Sequence, residues 1–566
     1  TQQPFALLVG SGLMVILLAV ITGIASGLGS AALIGLINTE LHAAASDFSL
    51  TLWLFAALGT LVILSQIFST MVIMRAGQAA ARDLRMELSH RILNAPFRLL
   101  QQLGAPRLMA NLTEDVAVLI DAFQLIPQMC IHTSWVLGCL IYLGWLSGPL
   151  LITVVAVMLL GVVIYQWSLH WAMKPLHTAR EEHDALFAHF RSLVHGIKEI
   201  KLHQQRKRAF LEDVLYPTAE ACRERIVAAM TVFILAATFG TALLYCLIGF
   251  ILFEARSWET ITAEIVSGYT LTLLYMMAPL TAALGDLPTF GRASVALGKI
   301  ERLKKELTEQ AETVAAMKVT AASAPAGKLE FVAVTHRYHR EGDEHPFTLG
   351  PLDVAFQPGE VVFIIGGNGS GKSTLGLLLV GLYSPESGQI RLNGVEITEA
   401  EREYYRQQFA VVFSDFYLFE SLLGLMTDNL DHRARTYLAE LQLDHKVTVA
   451  NGVLSTVELS QGQRKRLALV TAYLEDRPFY VFDEWAADQD PIFKELFYTV
   501  ILADLKARGK TVIVITHDDH YFHLANRCIR LEHGQIAENS SLTSDRSDRV
   551  LAAKPMASVQ NARQYS

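Results

Sequence analysis

Five stretches of this chain carry no Asp, Glu, Lys or Arg: residues 1–39, 48–74, 122–173, 226–253 and 265–285. A bilayer core is crossed by roughly 20 apolar residues in a helix, so each stretch is long enough to span one. The 122–173 stretch has room for two spans, with Ser147-Gly148-Pro149 as the break between them. Buried helices of a soluble protein do not stay uncharged on every face for such lengths. Six membrane helices are expected, at about residues 5–38, 50–75, 124–146, 150–173, 226–253 and 263–285. The first has neither a basic leading region nor a small-residue cleavage site, which predicts a retained helix rather than a signal peptide. A mean hydropathy of +0.33 excludes an ordinary soluble enzyme, and the net charge of −8 averages two unlike halves.

The connections divide by charge. The three short ones hold a single basic residue, Arg256. The two long ones hold sixteen: six arginines from Arg75 to Arg107, and ten Lys/Arg within 174–225. Basic loops stay on the cytoplasmic side, which places both long connections and both termini there. From Leu50 to Ala95 no strong breaker interrupts the helical pattern, giving about 45 residues or roughly 70 Å of helix. The 174–225 stretch is helical in pattern too. Gln66, His132, Tyr142, Tyr165, Gln166, His170, Tyr245, Tyr269 and Tyr275 are the polar or aromatic candidates for lining a cargo pathway. Interhelical packing or interfacial anchoring is the alternative for each. Pro279 is expected to kink the sixth span. Cys130, Cys139, Cys222, Cys246 and Cys528 have no metal-ligand or redox spacing and are read as structural.

Charges return at Arg292, and an Ala-rich tether begins at Val314. The expected organisation is a membrane domain over 1–310, a linker over 311–327, an α/β domain over 328–538 and a poorly ordered tail over 539–566. In the α/β domain the apolar run Val361–Ile365 reads as a buried strand. Gly366-Gly367-Asn368-Gly369-Ser370-Gly371-Lys372-Ser373 follows it, and Thr374–Val380 reads as a helix. Strand, Gly-rich turn, Lys-Ser and helix is the context of a phosphate-binding loop. Its N–H groups would cradle phosphate at the helix start, Lys372 would reach the β/γ-phosphates, and Ser373 would ligate Mg²⁺. A second buried strand, Phe479–Phe482, ends in Asp483-Glu484, placing Asp483 to hold Mg²⁺ and Glu484 to activate water. His517, after the strand Thr511–Ile515, is placed to reach the γ-phosphate.

Leu459-Ser460-Gln461-Gly462-Gln463 lies between these two elements. It resembles the signature motif of ABC-transporter ATPase domains, and the order of the remaining motifs through Asp490 and His517 matches that family. The resemblance implies an α-helical six-span transmembrane domain of the exporter type, fused to an α/β P-loop ATPase domain. It implies that Ser460, Gln461, Gly462 and Gln463 bind the γ-phosphate held by a second subunit's loop. It also implies that Tyr338 stacks on adenine and that Thr374 and Asp490 belong to the nucleotide site. Long helices projecting into the cytosol suit exporters. Leu112–Val116 and Gly196–Lys201 are similar to the family's intracellular helices. The sequence from Asp483 to Pro491, Asp-Glu-Trp-Ala-Ala-Asp-Gln-Asp-Pro, departs from the common Asp-Glu-Ala-Thr-Ser-Ala-Leu-Asp, and His517–Phe522 departs from Ser-His-Arg. Both look like the bacterial cyclic-peptide exporter branch, which includes exporters of lasso-peptide microcin, syringomycin-type lipopeptides and the pyoverdine siderophore precursor. Where relatives carry a metal-touching Gln after the strand Phe409–Phe413, this chain has Ser414 and Asp415, and one of these is expected to replace it.

The reading that results is a homodimer in the bacterial cytoplasmic membrane that uses ATP and Mg²⁺ to export a small peptide-like cargo. Its surroundings are membrane lipid, and no nucleic-acid partner is expected. No peptidase domain precedes the first span, so cargo is not expected to be cleaved by this chain. The alternatives are a lipid or multidrug exporter and, from another class, an ATP-gated channel or membrane sensor.

Overall fold

The computed structural model of the chain describes residues 13–42, 48–254, 261–309, 327–338, 347–425 and 429–541. The chain divides into two compact units, one of Thr1–Ser89 with Pro106–Lys304, the other of His90–Ala105 with Lys305–Ser566. Among the described residues six helices are long and apolar enough to cross a membrane, one for each expected span. The main helices are α1 (Leu13–His42), α2 (Phe48–Leu93), α3 (Phe97–Leu103), α4 (Val116–Leu146), α5 (Gly148–His195), α6 (Tyr216–Phe253) and α7 (Ala263–Glu309). The 46 residues of α2 form one uninterrupted helix, as the unbroken pattern predicts. Leu112–Val116 is part of the helix that enters α4, with a π-helical turn over Asn111–Asp115. Pro279 and Pro288 both lie inside α7. The side chain of His170 lies outside the described residues.

A four-residue spacing on α1, Gly23, Gly27, Ala31 and Gly35, sets how closely that helix meets α4. A Cβ on Gly27 would sit 2.7 Å from the Ile131 carbonyl oxygen, and one on Gly138 would sit 2.8 Å from the Ala31 methyl. In lipid, where burying apolar surface does not drive association, such small-residue contact is the main attraction available. Polar groups supplement it. Asn38 is buried; its amide donates to the Tyr142 hydroxyl at 3.1 Å and accepts from Ser267 at 2.8 Å. Tyr269, fully buried, donates to the carbonyls of Leu143 and Ser147. Tyr275 packs on Trp135 with ring centroids 4.8 Å apart. Of the polar candidates in the spans, Tyr142 and Tyr269 thus serve as ties between helices.

The second unit is built on two sheets. Strands β1 (Leu329–Tyr338), β2 (Phe347–Phe356), β3 (Val361–Gly366), β4 (Ser387–Leu392), β5 (Val395–Glu396) and β6 (Phe409–Val412) come first. A hairpin, β7 (Val449–Ala450) and β8 (Val453–Leu454), is followed by β9 (Phe479–Asp483), β10 (Thr511–Ile515), β11 (Arg527–Glu532) and β12 (Gln535–Ser541). β2-β1-β4-β5 form an antiparallel sheet. β12-β11-β3-β10-β9-β6 form a mainly parallel sheet in which only β12 runs antiparallel. Strands buried on both faces read as unbroken apolar runs because successive side chains serve opposite cores. Phe363, Phe482 and Val514 enter one core, while Ile364, Val481 and Ile515 enter the other. The expected linker lies outside the described residues apart from Gly327, and β12 reaches Ser541, three residues past the expected end of the domain.

Helix α3 belongs to this second unit. Phe97 packs against Tyr383 with ring centroids 6.3 Å apart, Arg98 pairs with Glu386 at 3.1 Å, and the Tyr383 hydroxyl donates to Gln101. Tyr383 in turn stacks on the buried His336, whose ring burial pulls below its ordinary pKa. Nothing in the sequence singled out α3.

Candidate nucleotide site

Parallel strands end on one edge of a sheet, and ligands of such folds bind beyond their carboxyl ends. Here β3, β6, β9 and β10 are four consecutive neighbours. The loops leaving them carry Gly366–Ser373, Ser414, Asp483-Glu484 and His517. Strand order alone therefore collects four stretches that lie far apart along the chain.

The loop after β3 closes onto α8 (Lys372–Leu379). Gly369 and Gly371 have φ of +76° and +101°, which only glycine adopts without strain. A Cβ on Gly366 would stand 2.3 Å from the Leu531 carbonyl oxygen. Asn368 is exposed, Ser373 is exposed in the first helical turn, and Thr374 follows it half-buried. The buried Lys372 lays its ammonium across the loop and donates to the carbonyls of Gly366 and Gly367, both at 2.9 Å. Burial pulls its pKa down, and Glu484 and Asp483 pull it back up, so the lysine already senses both carboxylates. Among the described residues the hydroxyl oxygen of Ser370 is buried without a hydrogen-bond partner. A hydroxyl free to donate, glycine main chain and the free N–H groups of a helix start suit a phosphate group.

Burial lifts the Asp483 pKa, and the hydrogen bond donated by Ser414 at 3.1 Å opposes the shift. Ser414 therefore stands beside the expected metal ligand. Glu484 points its carboxylate at His517, with 3.3 Å between Oε1 and Nε2. The turn carrying His517 is fixed through Asp518, which pairs with Lys494 at 2.8 Å and accepts from the Tyr498 hydroxyl at 3.0 Å. Tyr338 pairs in register with Phe347, whose ring lies 3.1 Å from the place a Cβ on Gly371 would occupy.

The signature stretch forms its own structure. Ser460 is the N-cap of α9 (Gln461–Glu475); its hydroxyl accepts from the Gln463 N–H, and the Gln463 side chain accepts from the Ser460 N–H. This reciprocal cap satisfies two of the donors at the helix start. Among the described residues, no hydrogen bond joins Ser460–Gln463 to Gly366–Ser373. Asp490 caps α10 (Pro491–Leu496) and pairs with Arg466 of α9 at 2.6 Å. The structure thus gathers Lys372, Ser414, Asp483, Glu484 and His517, and holds the signature apart as a second group. Sequence reasoning missed Lys465, whose ammonium reaches the Glu484 carbonyl at 2.7 Å. The two departures nearest to it, Trp485 and Asp488, were the available signal.

The ABC transporter family model matches residues 349–487, and that for the ABC transporter transmembrane region matches residues 13–280. The ATP-binding protein SyrD of Pseudomonas syringae pv. syringae is 35% identical over 529 residues, covering 92% of this chain and 93% of that one. The chain belongs to the ABC transporter family. An ATP-dependent lipid A-core flippase of Thiobacillus denitrificans is 26% identical over 82% of this chain and 81% of its own length. The nisin transport ATP-binding protein NisT of Lactococcus lactis subsp. lactis is 30% identical over 35% of this chain and 36% of its own. This ABC transporter is a multi-pass membrane protein of the exporter type. Its second unit binds ATP, and hydrolysis there is coupled to transport.

Proposed function

We propose that this transporter exports a peptide-type secondary metabolite, a cyclic peptide, lasso peptide or peptide siderophore precursor, across the bacterial cytoplasmic membrane. The observation that carries this reading is likeness to a bacterial chain, SyrD, over 92% of this chain, joined to the wording of 483–491 and 517–522. Each chain has one phosphate loop and one signature, so a homodimer completes two ATP sites. The phosphate loop with Thr374 holds ATP, Tyr338 stacks on adenine, and Ser460 to Gln463 of the second copy meet the γ-phosphate. Ser373 and Asp483, with Ser414, would hold Mg²⁺, which supplies positive charge to the β/γ-phosphate oxygens. Glu484 takes a proton from the water that attacks the γ-phosphorus, and His517 fixes the Glu484 carboxylate and contacts the γ-phosphate. Asp490 acts through Arg466 and the signature helix.

A lipid exporter is the second reading, favoured by flippase relatives that match four-fifths of the chain. Transporter reconstituted in proteoliposomes separates the two. A cyclic lipopeptide or peptide siderophore should stimulate ATP hydrolysis and accumulate vectorially. Stimulation by lipid A alone would overturn the peptide reading. Metabolite profiling of cells lacking the gene would then name the cargo.

A further inference from the structure

Glu484 occupies an unusual place in the main chain. Its φ of +50° and ψ of +35° lie in the left-handed region, which non-glycine residues seldom adopt. That conformation directs the side chain toward His517 and has to be held from both sides. On one side the Glu484 N–H donates to the Ile515 carbonyl at 3.0 Å. On the other, the Glu484 carbonyl receives the Ala487 N–H at 3.3 Å and the Lys465 ammonium at 2.7 Å. The charged donor is the shorter and stronger of the two.

Lys465 lies one turn into the signature helix α9 and is 2% exposed. A buried ammonium persists only with a counter-charge and acceptors, and Asp488 provides the charge at 2.7 Å. The clamp is reciprocal. The indole N–H of Trp485 donates to the Lys465 carbonyl at 2.8 Å, while its ring is buried and stacked on Phe497 at 4.4 Å. Gln489 extends the same seam, donating to the Gly462 carbonyl at 3.0 Å and accepting from Arg466 at 3.0 Å. Trp485, Asp488 and Gln489 replace Ala, Ala and Leu of the common wording, and those three side chains could form none of these bonds.

We propose that Lys465 is a positioning residue for ATP hydrolysis, holding the main chain of Glu484 from the signature helix of the same subunit. The inference rests on the reading of Glu484 as the base. Lys465 acts through the Glu484 carbonyl; it fixes the peptide from which the carboxylate projects. Because α9 also carries Ser460 and Gly462, the clamp joins the half of the machinery serving a subunit's own ATP to the half serving its neighbour's.

The test uses full-length transporter in lipid nanodiscs. Lys465→Met keeps the length of the side chain and removes its charge. It should lower kcat about tenfold and leave the KM for ATP within twofold, the pattern expected when a group acts only on the chemical step. Mixed dimers then decide how the residue acts. With Glu484→Gln in one copy, a single hydrolytic site remains, using the intact Glu484 of one chain and the signature of the other. Lys465→Met on the chain with intact Glu484 should reproduce the tenfold loss, and on the Glu484→Gln chain it should change kcat by less than twofold. Equal losses in both arms, a loss only in the second arm, or no loss in either would overturn the proposal. Should Lys465→Met fail to fold, Asp488→Asn, at a half-exposed position, decides in the same two arms with an expected loss of about threefold. Homodimers of Glu484→Gln keep the premises separate. Near-wild-type turnover there would break the assignment of the base. Slow turnover there with an unimpaired Lys465→Met would break this proposal alone.

Discussion

In the membrane unit, Asn38, Tyr142, Ser267 and Tyr269 direct their polar atoms to neighbouring helices and find neutral partners. In the second unit, Lys372 at a helix start and Asp483, Glu484 and His517 at strand ends bring ionisable groups together. Lipid provides no alternative partner for a hydroxyl, so a polar group there is useful as an interhelical tie. Strand ends leave main chain and side chains open to a ligand, and charges gathered there have something to act upon. Changes in the first group should therefore appear as stability, and changes in the second as turnover.

The largest expected effect is that of Glu484→Gln: a fall in turnover of at least tenfold, approaching hundredfold, as loss of a general base implies. ATP binding measured by a fluorescent analogue should persist, and the melting temperature should stay within about 2 °C. A large drop in melting temperature would erase the contrast between the units. Next comes Ser414→Ala, expected to raise the Mg²⁺ concentration for half-maximal ATPase activity several-fold, with Asp415→Ala nearer to wild type. If both variants keep full activity and Mg²⁺ dependence, neither residue replaces the glutamine. Tyr269→Phe removes a buried hydroxyl shared between two carbonyls and should cost about 1 kcal/mol of stability. Its turnover per folded molecule should change less than twofold; a tenfold loss would make Tyr269 more than a tie.

The smallest effect tests a charge outside both groups. Burial lifts the Glu475 carboxyl to about 7, against a partial opposing pull from Arg477. Its folded-state pKa lies above the unfolded value of about 4.3. Stability is therefore full below that value and declines as pH rises towards 7, because the unfolded chain ionises first. Glu475→Gln should raise the melting temperature by about 2–5 °C at pH 8 and leave it unchanged at pH 4.5. A gain independent of pH would show that packing, and not ionisation, is responsible.

Much of this was legible beforehand because the signals were local. Charge-free stretches give spans, and unbroken apolar runs such as Val361–Ile365 give strands of a parallel sheet. Gly366–Ser373 and Asp483-Glu484 name their chemistry by residue type. Contacts set by packing were not legible. The four-residue stripe on α1 acquires meaning only against Ile131 and Gly138 of α4, and Tyr269 shows its role only beside the Leu143 carbonyl. Lys465 was hidden because a lysine on a polar helix start ordinarily faces solvent, and only the fold reveals that it is buried against Glu484. The π-helical turn at Asn111–Asp115 was equally silent, since its residues suit an ordinary helix.

Helix α3 bears on how such transporters can be recombined. The unit built around the nucleotide site is discontinuous in sequence, because Phe97, Arg98 and Gln101 reach it from nearly 300 residues before Tyr383 and Glu386. A chimera spliced once, in the Ala-rich tether, would set a foreign surface against Phe97–Leu103. A graft that also transplants residues 90–105 would move the engine with its own fitting.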